Sequence, residues 1–135
     1  MSLIAYDLDG VLIPDCDKFP NIGGLDEFYA MATNIIPIFS PQGEYMIITA
    51  RPAEFRSVTY SWCVKYLNPM PIRLHHERLT YQSTAGKYKA DILNSSPDIT
   101  KYIESDPGIV QYLKNNVTTG CEIIHFSAYL EEHFK

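Results

Sequence analysis

The sequence is short of several things, and each shortage excludes something. It has three cysteines, Cys16, Cys63 and Cys121, an odd number at wide spacing. That fits neither a disulfide framework nor a zinc site, and it suits unpaired thiols in a reducing compartment. Positive charge is scarce: 11 Lys and Arg stand against 16 Asp and Glu, a net charge of -5. A broad basic surface for nonspecific nucleic-acid binding is therefore not expected, although a small basic patch remains compatible with the composition. No apolar stretch approaches the ~20 residues of a membrane span. The opening MSLIAYDLDG has no basic n-region and meets charge too early for a signal peptide. Repeats, linkers and low-complexity segments are lacking too. A cytoplasmic protein without a membrane partner is expected.

What is present points to one folded domain over residues 1–135. Hydrophobic residues make up 46% and charged residues 20%, with ten tyrosines and six phenylalanines to fill a core. Strand-length apolar runs are expected at Leu3–Tyr6, Tyr45–Ile48, 72–75, 99–103 and 122–126. Helical spacing is expected over 24–39, 53–66, 84–93 and 107–113, with Ser127 capping a last helix. This alternation predicts an α/β fold, a Rossmann-like three-layer sandwich with a central parallel sheet of about five strands. In such sheets ligands bind beyond the carboxyl ends of the strands.

Chemistry-bearing residues collect at those ends. In IAYDLDGVLI, Asp7 and Asp9 follow the first apolar run, and Gly10 supplies a turn. Two like charges there cost repulsion and desolvation unless a cation or proton compensates. In MIITARP, the Thr49 hydroxyl, the backbone beside Ala50 and the forked cation of Arg51 suit phosphate oxygens. In AGKYKADIL, Lys87 and Lys89 are both placed to neutralise charge on a transferring phosphoryl group. In YIESDPGIV, Glu104 ends a strand, and Asp106 serves either an oxygen cage for Mg²⁺ or the helix cap before Pro107. Tyr81, in HHERLTYQST, is a stacking candidate near a site entrance. The adjacent His75 and His76 face opposite ways in a strand and suit no joint metal or catalytic role.

Asp-x-Asp, then Thr, then Lys, then an acidic pair, each near a strand end, resembles the haloacid dehalogenase superfamily over nearly the whole chain. DLDGV matches its first motif, IIT its second, the Lys87/Lys89 helix its third and IESD its fourth, where glutamate leads and a serine intervenes. The resemblance implies a Mg²⁺-dependent phosphatase. Asp7 would be the nucleophile forming an aspartyl-phosphate, and Asp9 the general acid and base. Thr49 and a lysine, Lys89 before Lys87, would hold phosphoryl oxygens, with Gly10, Ala50 and Arg51 beside them. Mg²⁺ would be held by Asp7, the Asp9 backbone carbonyl and Glu104 or Asp106. The acid at position 9 favours phosphoryl transfer over dehalogenation. The gaps between motifs hold no folded cap domain. An open site then implies a nucleotide, a small phosphorylated metabolite or a nucleic-acid end as substrate, or a second copy of the chain supplying a lid. The alternatives are a catalytically degenerate binding module of the same fold and a response-regulator receiver, the latter disfavoured because no lone aspartate ends the second or third strand.

Overall fold

The computed structural model describes residues 3–15, 24–31, 34–78 and 84–133. Five parallel strands form one sheet in the order β3-β2-β1-β4-β5. They are β1 (Leu3–Tyr6), β2 (Tyr45–Ile48), β3 (Arg73–His75), β4 (Ile99–Glu104) and β5 (Glu122–His125). The helices are α1 (Leu25–Met31), α2 (Arg56–Tyr66), α3 (Ala85–Asn94), α4 (Pro107–Asn116) and α5 (Phe126–His133). The expected α/β, Rossmann-like architecture is the observed one.

Alternation along the strands sorts two cores. Tyr6, Tyr45, Ile47 and Ile103 point to one face, where Phe28 of α1, Trp62 and Cys63 of α2 and Phe126 and Tyr129 of α5 cover them. Ala5, Met46, Ile48 and Tyr102 point to the other, against Ala90 and Leu93 of α3 and Val110 and Leu113 of α4. All four residues of β2 are buried, as a strand covered on both faces requires. Cys63 and Cys121 are free thiols, each pushed up to about 11 by burial and so poorly reactive. Cys16 and Tyr81 lie outside the described residues.

Several boundaries differ from expectation. The helix expected over 24–39 is α1 alone; residues 34–44 lie outside helices and strands, because Pro37 and Pro41 deny that stretch the amides a helix needs. A short 3-10 turn, Ala53–Phe55, precedes α2. Strand β4 runs one residue further, through Glu104. Helix α5 starts at Phe126, before Ser127, whose amide donates instead to His125 Nδ1 (3.2 Å).

The chain moves outward from β1 to β2 and β3, then returns to place β4 on the other side of β1. The carboxyl ends of β1 and β4 therefore flank the crevice where strand order reverses, the usual ligand position in an open α/β sheet.

Candidate active site

Asp7 directly follows β1, and its amide still donates to Ile103 O of β4 (2.9 Å). Its side chain follows the alternation of Leu3 and Ala5, toward the α3 side. There Lys89 meets it at 3.1 Å and meets Glu104 Oε1 at 2.6 Å. The helix explains which lysine arrives. Gly86, Lys89, Ala90 and Leu93 are the buried residues of α3, a single stripe facing the sheet. Lys87 stands about 200° around the helix from Lys89. It is exposed and paired with Asp91 (3.1 Å), and it does not line the cleft. A phosphate role for Lys87 is thus corrected.

Glu104 is fully engaged. Oε1 accepts from Lys89 and from the Tyr102 hydroxyl (2.8 Å), and Oε2 accepts from the Ser105 and Asp106 amides (3.0 and 3.1 Å). It holds Lys89 and the following loop rather than standing open as a metal ligand. Asp106 Oδ1 caps α4 through the Gly108 and Ile109 amides (2.8 and 3.2 Å).

Burial first, then the Glu104 charge, raise the Asp7 carboxyl well above the usual carboxylate range, with Lys89 opposing. Burial works against the charge on Lys89, but Asp7 and Glu104 more than offset it and hold the ammonium protonated. Glu104 ends lowered: burial pushes it up, but the Lys89 charge and the hydrogen bonds to Asp7, Lys89 and the Asp106 amide together outweigh that.

Asp9 and Gly10 sit on a loop pinned from below. Leu8, Val11, Leu12 and Ile13 are fully buried, and the Leu8 carbonyl accepts from the amides of Val11, Leu12 and Ile13. Gly10 has φ +88°, a left-handed conformation that favours glycine. A Cβ there would fall 2.4 Å from Ser105 Oγ and 2.6 Å from Asp15 Oδ2, so only glycine lets those two side chains close against this turn.

Arg51 is not the open phosphate fork its sequence position suggests. Its side chain has 0% exposure and lies against the rings of Phe28 and Tyr29. Nε and Nη2 donate to the two oxygens of Asp9 (2.9 and 2.7 Å), and Nη1 donates to Thr59 Oγ1 (2.9 Å). The Thr59 hydroxyl lies 3.1 Å from Phe55 O and 2.9 Å from His76 Nε2. One assignment satisfies the hydroxyl fully: it donates to Phe55 O and accepts from Arg51 and from Nε2–H of His76. The unpartnered His76 Nδ1 is then a bare acceptor. Burial lowers His76 to about 4, so it stays neutral.

Thr49 is buried at the end of β2, and its Oγ1 accepts from the Arg51 amide (3.2 Å). The resulting cleft has a volume of about 280 Å³ and brings Asp7, Asp9, Thr49, Ala50, Lys89, Glu104 and Asp106 together. It also includes Asp15, Tyr29, Arg78 and Ser105, which the sequence reading missed. Arg78 Nη1 donates to Ala50 O (2.9 Å). Tyr29 is pushed up to about 12, by burial and then by the Asp9 charge. Only Ser105 carried a usable signal, through its place inside the fourth motif.

No family model matches the chain, and no curated protein matches it. Among solved structures, a chain in the structure of the Pnkp1/Rnl/Hen1 RNA repair complex is similar, with a TM-score of 0.70 at 14% identity. The match covers 92% of this chain and 42% of that one, so this chain spans less than half the length of the protein it resembles. At that identity the likeness shows the fold, a Rossmann-like α/β sandwich. Among the described residues, no helix is long and apolar enough to cross a membrane.

Proposed function

We propose that the chain is a Mg²⁺-dependent phosphomonoester hydrolase of the haloacid dehalogenase type, acting on a phosphate at a nucleic-acid end. The observation that carries this is Asp7: a nearly buried carboxylate at the strand-order switch, ion-paired to Lys89, with Asp9 and Thr49 in the same cleft. Asp7 attacks phosphorus, the ester P–O bond breaks, and Asp9 gives a proton to the leaving oxygen. Water then attacks the aspartyl-phosphate, Asp9 takes its proton, and inorganic phosphate and free Asp7 result. Arg51 fixes the Asp9 carboxylate while each of its oxygens keeps a lone pair for that proton. Lys89 and Thr49 hold phosphoryl oxygens.

The residues fit a cation. Asp7 and Asp9 line one cleft, and the carboxylate of the first and the backbone carbonyl of the second are the oxygen donors a hard cation takes. When bound, Mg²⁺ would offset negative charge on the transferring group. The choice of a polynucleotide end over a free nucleotide or metabolite rests on the likeness to a chain of an RNA repair complex.

The test is phosphate release, with Mg²⁺, from p-nitrophenyl phosphate and from 3'- and 5'-phosphorylated oligoribonucleotides. Wild type should release phosphate from an oligonucleotide and Asp7→Asn should not, although Asp7→Asn folds. Turnover surviving in Asp7→Asn refutes the covalent route. Mg²⁺ binding without release from any substrate would leave a binding module.

A further inference from the structure

Resting on that reading, we infer that the Ser105 hydroxyl is the third protein ligand of the cation, the part that sequence position assigns to Glu104 or Asp106. Glu104 has four donors on its two oxygens, and Asp106 Oδ1 is spent on α4. No group of three or more His, Cys, Asp or Glu among the described residues is arranged to hold a metal ion. A cage of carboxylates is therefore not what this cleft offers.

Ser105 offers something else. Its Oγ lies 3.1 Å from the Asp9 carbonyl, to which it donates, and 3.5 Å from Asp7 Oδ2. Asp7 Oδ1 is taken by the Leu8 amide (2.8 Å) and Lys89, so Oδ2 is the oxygen on the Ser105 side. Neighbouring ligands of an octahedral Mg²⁺, each at 2.0–2.1 Å from the ion, stand about 3 Å apart. The two spacings around Ser105 Oγ approach that edge length, so the hydroxyl is placed to share a cation with the Asp9 carbonyl and with Asp7 Oδ2. A serine or threonine hydroxyl is an accepted Mg²⁺ ligand in phosphate-binding loops.

The serine is also preorganised. Its amide donates to Glu104 Oε2 (3.0 Å). Its carbonyl accepts from His125 Nε2 (2.9 Å); the Ser127 amide donates to Nδ1 of that ring, which leaves the proton on Nε2. Both ends of the residue are thus tied to strand ends, and only the hydroxyl is left to the cleft. Gly10 completes the arrangement, since a Cβ there would occupy the hydroxyl's position.

A neutral hydroxyl in place of a carboxylate makes a weaker cation site, and this sets the test. Mg²⁺ binding is measured by calorimetry, and Mn²⁺ binding by electron paramagnetic resonance, on wild type, Ser105→Ala, Ser105→Thr, Ser105→Asp and Ser105→Cys. Ser105→Ala should weaken Mg²⁺ by about tenfold, Ser105→Thr should restore it, and Ser105→Asp should tighten it by a similar factor. Ser105→Cys should lose Mg²⁺ and gain Cd²⁺, with a thiolate-to-cadmium ultraviolet band beyond that of wild type, because a soft ligand selects a soft ion. A merely structural serine would not move that preference. Wild-type binding that is unchanged in both Ser105→Ala and Ser105→Cys overturns the Ser105 assignment and leaves the hydrolase reading standing. Wild type that binds neither Mg²⁺ nor Mn²⁺ overturns both.

Discussion

The pair between Arg51 and Asp9 makes an asymmetric prediction. Removing one partner of a buried ion pair costs about 3–5 kcal/mol, because it strands the other charge away from water. The two partners here are not equally stranded. The Arg51 side chain has 0% exposure and that of Asp9 has 16%. In Asp9→Asn the guanidinium keeps Thr59 but loses its anion, and it has no route to solvent. The expected loss is about 4 kcal/mol. In Arg51→Met the Asp9 carboxylate turns to cleft water, and Thr59 keeps Phe55 O and His76. The expected loss is about 2 kcal/mol, one charged hydrogen-bond set with its desolvation partly relieved. The double mutant should be no less stable than Arg51→Met alone, giving a coupling of about 4 kcal/mol. Urea denaturation at neutral pH in excess chelator measures this, with equal m values as the check on two-state behaviour. If Asp9→Asn proves neutral or stabilising, the aspartate is a free-standing site residue and the clamp is not structural.

Other tests are shorter. His76 is depressed to about 4 against an ordinary 6.5. Between those values the unfolded chain binds the extra proton, so stability rises with pH there. His76→Gln keeps a donor for Thr59 but does not titrate. Acidifying from neutrality to about pH 4 should therefore cost wild type about 3 kcal/mol more than the variant, and equal losses would refute the neutral buried ring. Lys89→Met should end turnover and cost about 3–5 kcal/mol, since it leaves Asp7 and Glu104 buried together; the loss should shrink on acidification as one carboxyl takes up a proton. Lys87→Ala should leave turnover unchanged and stability within about 0.5 kcal/mol; a fall in phosphate release would restore it as a site residue.

The fold was legible because its signals are local. Strands β1 and β2 are unbroken apolar runs, whereas β3 has Leu74 as its one apolar residue, and a polar residue stands at or just after the end of β1, β2 and β4. The resemblance puts Lys89 before Lys87, through its spacing to Ile92 and Leu93. Helical period agrees with its placement in the cleft, since it stacks Lys89 with Ala90 and Leu93 and turns Lys87 away. Arg51 was misread because its partners are distant in sequence. TARP looks like a phosphate fork until Asp9, 42 residues earlier, takes two of its nitrogens. Thr59 and His76 complete that network from 8 and 17 residues away along their own pairings, with no spacing that announces it. Asp15, Tyr29 and Arg78 reach the cleft from loops and a helix whose approach no periodicity fixes.

The charges that were legible one by one acquire a joint meaning only in the fold. Asp7, Asp9 and Glu104 bring three carboxylates to the strand ends, and Lys89 and Arg51 bring two cations. Each cation is spent on a carboxylate, and Asp7 and Glu104 share one. The cluster is left with a surplus negative charge in poor contact with water, and this surplus shows as the raised Asp7 carboxyl. Proton uptake or a divalent cation can discharge it. A proton would silence Asp7 as the proposed nucleophile, whereas a divalent cation would leave it ionised and turn the cleft attractive to a phosphate dianion. This is why the net charge of -5 does not exclude a phosphorylated ligand. On the proposed reading, the local sign depends on a cation held among Asp7, the Asp9 carbonyl and Ser105, not on the surface as a whole.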